Sequence, residues 1–139
     1  MDREALKRIL PHREPMLLLD RAELVDGEAI ASYSVRGDEF FLQGHFPGHP
    51  VVPGVILCEM MAQACCVLLE GEMSQGSTPY YTRIRQVKFR EKVEPGCELV
   101  IRCRLANSRP PFYFAEGTVH IAGDVLAAEG AFSFAVLEA

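Results

Sequence analysis

The second half of the chain alternates hydrophobic and polar residues, whereas the middle carries one long run that is apolar on nearly every side. From Pro53 to about Glu72 the apolar positions Val55, Ile56, Leu57, Cys58, Met60, Met61, Ala62, Cys65, Val67, Leu68 and Leu69 predict a helix buried on most faces. Pro53 suits its first turn, where a missing N–H is harmless. Such a helix is about 30 Å long at 1.5 Å per residue. A domain of this length has a radius of gyration of about 14 Å, so the helix crosses the whole body.

Around it the pattern predicts strands. "MLLLDRAELVD" and "EAIASYSVR" flank Asp26-Gly27, a pair that tolerates the positive φ of a tight hairpin. After the helix, "YYTRIRQVKFREKV", "CELVIRCRLA", "FYFAEGTVHIA" and "VLAAEGAFSFAVL" are separated by the turn signals "EPG", "NSRPP" and Gly123-Asp124. Leu99, Ile101, Cys103 and Leu105 share one face, opposite Val100, Arg102 and Arg104. Residues 2–9 predict a short leading helix. Successive hairpins make an antiparallel sheet, and one sheet curled round one buried helix satisfies both patterns. The fold class is α+β, and residues 1–139 are expected to form a single domain.

Composition fits this picture. The chain has 139 residues, 49% hydrophobic and 24% charged, with a formal net charge of -5, a balance that excludes disorder and disfavours nucleic acid as a partner. The apolar run contains Pro53, Gly54, Glu59 and Gln63, so a membrane span is not expected. The charged N-terminus "MDREALKRIL" resembles no signal peptide. Five cysteines, Cys58, Cys65, Cys66, Cys97 and Cys103, form no metal spacing, so free, mostly buried thiols in a reducing cytoplasm are expected.

The candidate chemistry lies in "GHFPGHPVVPGVILCEMMAQA", residues 44–64. Glu59 and Gln63 are four apart and share one helix face. A carboxylate there must be protonated, hydrogen-bonded or turned towards a wet cavity, and it either serves chemistry or completes a polar network. His45 sits in a loop stiffened by Pro47, Pro50 and Pro53 that ends on a helix N-terminus. That arrangement offers a positioned base and free N–H groups, with the Gly54 N–H open to a close ligand. His45 and His49 form an HxxxH pair, but Pro47 and Gly48 forbid the helical geometry that would put both on one metal, so no metal is expected. His120 falls in a strand and reads as structural.

This stretch closely resembles the signature of the β-hydroxyacyl-acyl carrier protein dehydratases of the FabZ type, in which HFPxxPxxPG precedes a helix bearing Glu and Gln. His45, Phe46, Pro47, Pro50, Pro53, Gly54, Glu59 and Gln63 all match at the family's spacing. "LPHREPMLLLDR" and "VKFREKVEPG" extend the likeness, which is weakest after Asn107. The resemblance implies a hot-dog fold and a homodimer whose two sheets join, often a trimer of dimers making a homohexamer. Each site would take His45 from one chain and Glu59 from its neighbour. The substrate would ride on the phosphopantetheine arm of acyl carrier protein, with no metal or redox cofactor.

By role, the resemblance implies that His45 removes the α-proton of a (3R)-3-hydroxyacyl thioester. The Gly54 N–H would steady the developing oxyanion, and Glu59, oriented by Gln63, would protonate the departing hydroxyl. Tyr80 resembles the family's tunnel-gating tyrosine. Arg83, Arg85, Lys88, Arg90 and Lys92 form a basic run suited to docking an acidic carrier or, equally, a solvated strand face. Glu14 stands where the family often has an aromatic residue and Arg85 where it often has an acid, departures that bear on substrate preference and docking. A dehydratase that also isomerises the double bond, a hot-dog thioesterase and a silent carrier-binding subunit are the competing readings.

Overall fold

The computed structural model describes residues 1–70, 77–122 and 124–138. Helix α1 (Arg3–Lys7) opens the chain, with the Asp2 side chain accepting from the Ala5 N–H at 2.9 Å as its N-cap. Strands β1 (Arg21–Val25) and β2 (Glu28–Ser34) form a hairpin across Asp26 and Gly27, both at positive φ. A single 3-10 turn at Phe40–Leu42 leads through the proline-rich loop into α2 (Gly54–Leu69). Strands β3 (Ser77–Phe89), β4 (Glu98–Arg109), β5 (Phe112–Ile121) and β6 (Val125–Glu138) follow.

All six strands make one antiparallel sheet in the order β1-β2-β4-β5-β6-β3. Helix α2 lies across its concave face, chiefly on β4, with β2 and β5 on either side. Small inward residues bring helix and sheet together: Ala29 and Ala31 on β2, Ala115 and Gly117 on β5. A Cβ at Gly117 would lie 3.1 Å from Met61 Cβ, so any side chain there would push against the helix. Met60, Met61, Leu69, Leu99, Ile101 and Phe132 are fully buried in the shared core, each contributing about 1.5–3 kcal/mol by leaving water. Beyond the helix, β3 is an edge strand exposed along most of its length.

Several boundaries differ from the sequence expectation. Met16–Asp20 is not strand, although Leu17, Leu18 and Leu19 are buried: the Leu18 N–H donates to the Gln63 side chain, and the segment joins the sheet only at Asp20, whose N–H donates to Ser32. Helix α2 ends at Leu69 with Glu70 as its cap, while Gly71 and Glu72 lie outside the described residues, as does Gly123 of the expected last hairpin. Strand β4 runs on through Asn107 and Ser108 to Arg109, so the turn is only Pro110–Pro111. One chemical expectation fails: Cys65 and Cys103 are joined in a disulfide with Cα atoms 5.5 Å apart, and Cys58, Cys66 and Cys97 remain free. Cys65 is on the sheet-facing side of α2 and Cys103 points inward from β4 beneath it, a juxtaposition that a separation of 38 residues does not announce.

Candidate active site

The loop before α2 is built to hold His45. The Val51 N–H donates to the His45 carbonyl at 2.9 Å, and Val52 donates to Val93 at 2.8 Å, tying the loop to the segment after β3. Phe46 and His49 exchange backbone hydrogen bonds round a tight turn, with Gly48 at φ 78°. His45 Nδ1 lies 3.0 Å from the Val51 carbonyl oxygen. A carbonyl only accepts, so Nδ1 carries the hydrogen and the neutral ring presents its lone pair at Nε2. The Phe46 ring stacks on the imidazole, centroids 4.2 Å apart, and is itself exposed.

Beside His45 begins α2. Pro53 caps it without a side-chain hydrogen bond, so the first-turn N–H of Gly54 is left for a ligand. An open groove of about 550 Å³ holds His45, Gly54, Val51, Val55, Leu57 and Phe89, with Arg90 and Lys92 at its rim. The Phe89 ring lies against Gly54: a Cβ added there would fall 2.8 Å from the ring. A larger residue at position 54 would therefore have to displace the exposed Phe89 ring.

Glu59 is not among the groove's lining residues. It lies five residues beyond Gly54, about 140° round the helix, and Gln63 Nε2 donates to its Oε2 at 3.1 Å. The fully buried Gln63 also takes the Leu18 N–H at 2.9 Å and donates to the Met16 carbonyl at 2.7 Å, so both amide hydrogens and the amide oxygen are engaged. His12, which the sequence reading did not single out, brings Nε2 to 3.1 Å from the same carboxylate oxygen. Burial, with the charge of Glu59 adding to it, holds the neighbouring thiol of Cys66 up to about 12 and raises that of Cys58. These thiols are therefore packing groups, not nucleophiles.

Tyr81, not Tyr80, reaches the helix. Its hydroxyl donates to the Cys58 carbonyl at 2.9 Å and its ring stacks on Phe134 at 5.3 Å, whereas Tyr80 is 51% exposed on β3. The basic run is split. Arg90 and Lys92 border the His45 groove, while Arg85 joins Arg102, Arg104, Glu116 and Glu129 on the outer sheet and Arg83 lies beside Phe114 and Ser133. Lys88 is exposed where β3 shifts register past Gln86. Arg90 also pairs with Glu129 at 3.3 Å. His49 is exposed, and His120 is in β5 with its Nδ1 buried and, among the described residues, without a hydrogen-bond partner. Among the described residues no group of three His, Cys, Asp or Glu could hold a metal, and no helix is long and apolar enough to cross a membrane.

The signals that could have found the missed residues are local. His12 is in "LPHREP", an element of the family resemblance, but a proline-flanked histidine far from Glu59 in sequence says nothing of their meeting. Phe89 and Tyr81 sit in strand patterns where aromatics ordinarily pack.

The FabA-like domain model matches residues 10–129. The chain is 38% identical over 138 residues to the 3-hydroxyacyl-[acyl-carrier-protein] dehydratase FabZ of Streptococcus gordonii, covering 98% of each chain. It is 48% identical over 103 residues to the protein of that name from Oenococcus oeni, covering 72% of this chain and 74% of that one. Among solved structures it is similar to the dehydratase heterocomplex ApeI:P from Xenorhabdus doucetiae, with a TM-score of 0.81 and 24% identity over 96% of this chain and 91% of that one. That likeness places the six-stranded sheet and its central helix among hot-dog folds.

Proposed function

Because the chain belongs to the FabA-like domain family, we propose that it removes water from 3-hydroxyacyl groups carried on acyl carrier protein, the hydro-lyase step of fatty acid biosynthesis. The observation that carries this reading is the orientation of His45. Its Nδ1–H is fixed on the Val51 carbonyl, and the ring shares a groove with the uncapped start of α2.

The thioester carbonyl of a (3R)-3-hydroxyacyl group accepts from the Gly54 N–H, and His45 Nε2 takes the proton from Cα. Charge that develops on the carbonyl oxygen is met by the N-terminal end of α2. The Cβ–O bond breaks with its electron pair on oxygen, Glu59 supplies a proton, and water and a trans-2-enoyl thioester leave. The proton held by His45 then passes to solvent and Glu59 is reprotonated. Loss of water is redox-neutral and its proton transfers fall to His45 and Glu59, so the reaction calls for no metal or redox cofactor; the pantetheine arm of the carrier delivers the substrate.

Within one chain His45 and Glu59 face different sides of α2, which supports a site shared between two subunits, His45 from one and Glu59 from the other. The exposed edge of β3 supports a dimer in which two such edges meet. A trimer of dimers is the further assembly the family pattern favours, in the cytoplasm, with residues 1–139 as one domain. The groove-rim cations Arg90 and Lys92 are placed to meet an acidic carrier, and Phe46 and Pro53 hold the loop. Tyr80, exposed on β3, is free to gate the acyl tunnel.

The test is direct. Incubated with a 3-hydroxyacyl carrier protein and followed by mass spectrometry, the protein should reversibly lose water from the substrate. His45→Ala and Glu59→Gln should each lower kcat by roughly 10²- to 10⁴-fold while still folding. Release of free acid would instead identify a thioesterase, and a 3-enoyl product the isomerising branch.

A further inference from the structure

The segment between α1 and β1 is laced to the polar face of α2 by three contacts. Two of them, Leu18 N–H to Gln63 Oε1 at 2.9 Å and Gln63 Nε2 to the Met16 carbonyl at 2.7 Å, fix the amide. Because the Leu18 N–H can only donate, the amide oxygen must face it, and Gln63 can only donate to Glu59. The third contact arrives on the carboxylate itself: His12 Nε2 lies 3.1 Å from Oε2, the oxygen that already accepts from Gln63. Among the described residues no partner meets Oε1.

The backbone that presents His12 is pinned. The Arg13 guanidinium donates to the carbonyls of His12 at 2.7 Å, Leu10 at 2.9 Å and Lys7 at 3.0 Å, joining the loop to the end of α1. The other ring nitrogen, Nδ1, is buried and has no partner among the described residues. The contact with Glu59 is thus what the ring makes through its imidazole nitrogens among the described residues.

We infer that His12 is a positioning residue for the acid: with Gln63 it anchors Oε2 of Glu59, leaving Oε1 as the oxygen presented to the β-hydroxyl of the substrate. A glutamate side chain turns about three bonds, and one hydrogen bond leaves the carboxyl free to swing. Two donors on one oxygen remove that freedom, and a displacement of about 1 Å at a reacting group costs up to roughly 10²-fold in rate. The inference rests on the dehydratase reading above and names a residue through which that site is aligned.

The experiment compares kcat and KM for the full-length protein and its variants on one 3-hydroxyacyl carrier substrate. His12→Ala should lower kcat roughly 10- to 100-fold with KM within about threefold, because substrate binding is untouched and only the acid is misplaced. His12→Gln, which keeps an N–H donor at the same reach, should recover most of the loss. It also serves as the folded test if the alanine variant does not accumulate. In a Glu59→Gln background His12→Ala should add less than about twofold, since it acts through Glu59. A merely structural role would instead multiply the two losses and gain nothing from glutamine. Full activity in His12→Ala, a loss confined to KM, or failure of His12→Gln to recover activity would each overturn the inference. A wild-type protein that does not dehydrate the substrate overturns the dehydratase reading and this inference with it, whereas dehydration by wild type and His12→Ala alike overturns only the role of His12.

Discussion

At the scale of single residues, the buried polar groups divide between those beside the proposed site, such as Gln63, and those remote from it. Glu39 is remote from it and holds structure. It is 7% exposed and accepts from the Gly37 N–H at 2.7 Å, the Arg36 N–H at 3.0 Å and the Tyr33 hydroxyl at 2.7 Å. Burial pushes its carboxyl up, but these donors outweigh it and hold the group below the usual carboxylate range. A native value below the unfolded one stabilises the fold above the unfolded value and is lost as pH falls through the native value. Urea unfolding should therefore show Glu39→Gln weaker than wild type by about 1–3 kcal/mol at pH 7, since the glutamine amide would face donors with a donor. The gap should begin to narrow as pH falls below about 4, where the carboxyl of the unfolded chain protonates, and close as pH passes through the lowered native value.

Between elements, the contact that bears most on the site is the close approach of a ring to a glycine. At Gly54 the edge of the Phe89 ring, on β3, occupies the space a Cβ would take, 2.8 Å from it. Gly54→Ala must displace that ring and also crowd the N–H proposed to meet the thioester oxygen. Thermal melts should show a loss of about 1–3 kcal/mol, and turnover should fall at least tenfold. In Phe89→Ala/Gly54→Ala the steric conflict is gone, so the melting loss attributable to Gly54→Ala should shrink while the loss of turnover persists. Recovery of both together would mean that the Gly54 N–H has no part in the reaction.

For the whole molecule, the open question is what covers β3. Among the described residues the strand pairs with β6 alone, and Tyr80, Tyr81, Ile84 and Phe89 along it are all more than a third exposed. Such an edge is a template for pairing with another chain. If two copies of β3 meet, a carboxylate at position 84 on each would bring like charges together across the join. Light scattering should then find Ile84→Glu shifted from dimer towards monomer, with turnover lost in proportion because neither half-site is complete. A dimer that persists with full activity would place the interface elsewhere.

Much of this architecture was legible in the residues. The apolar run after Pro53 marked a buried helix, and period-two alternation such as Leu99, Ile101, Cys103 marked the sheet, because side-chain direction follows local backbone geometry. The motif spacing singled out His45, Gly54, Glu59 and Gln63, since loop, helix start and helix face are contiguous in sequence. What the residues could not disclose was every meeting of distant segments. The Cys65–Cys103 disulfide, His12 against Glu59, Phe89 over Gly54, and Arg90 and Lys92 at the groove while Arg83 and Arg85 face elsewhere all depend on how the sheet curls round α2. Local patterns fix what each segment becomes and which face it buries; the pairing of faces is set by packing the sheet's concave side against one helix, and only the folded structure decides which residues that brings within a hydrogen bond of one another.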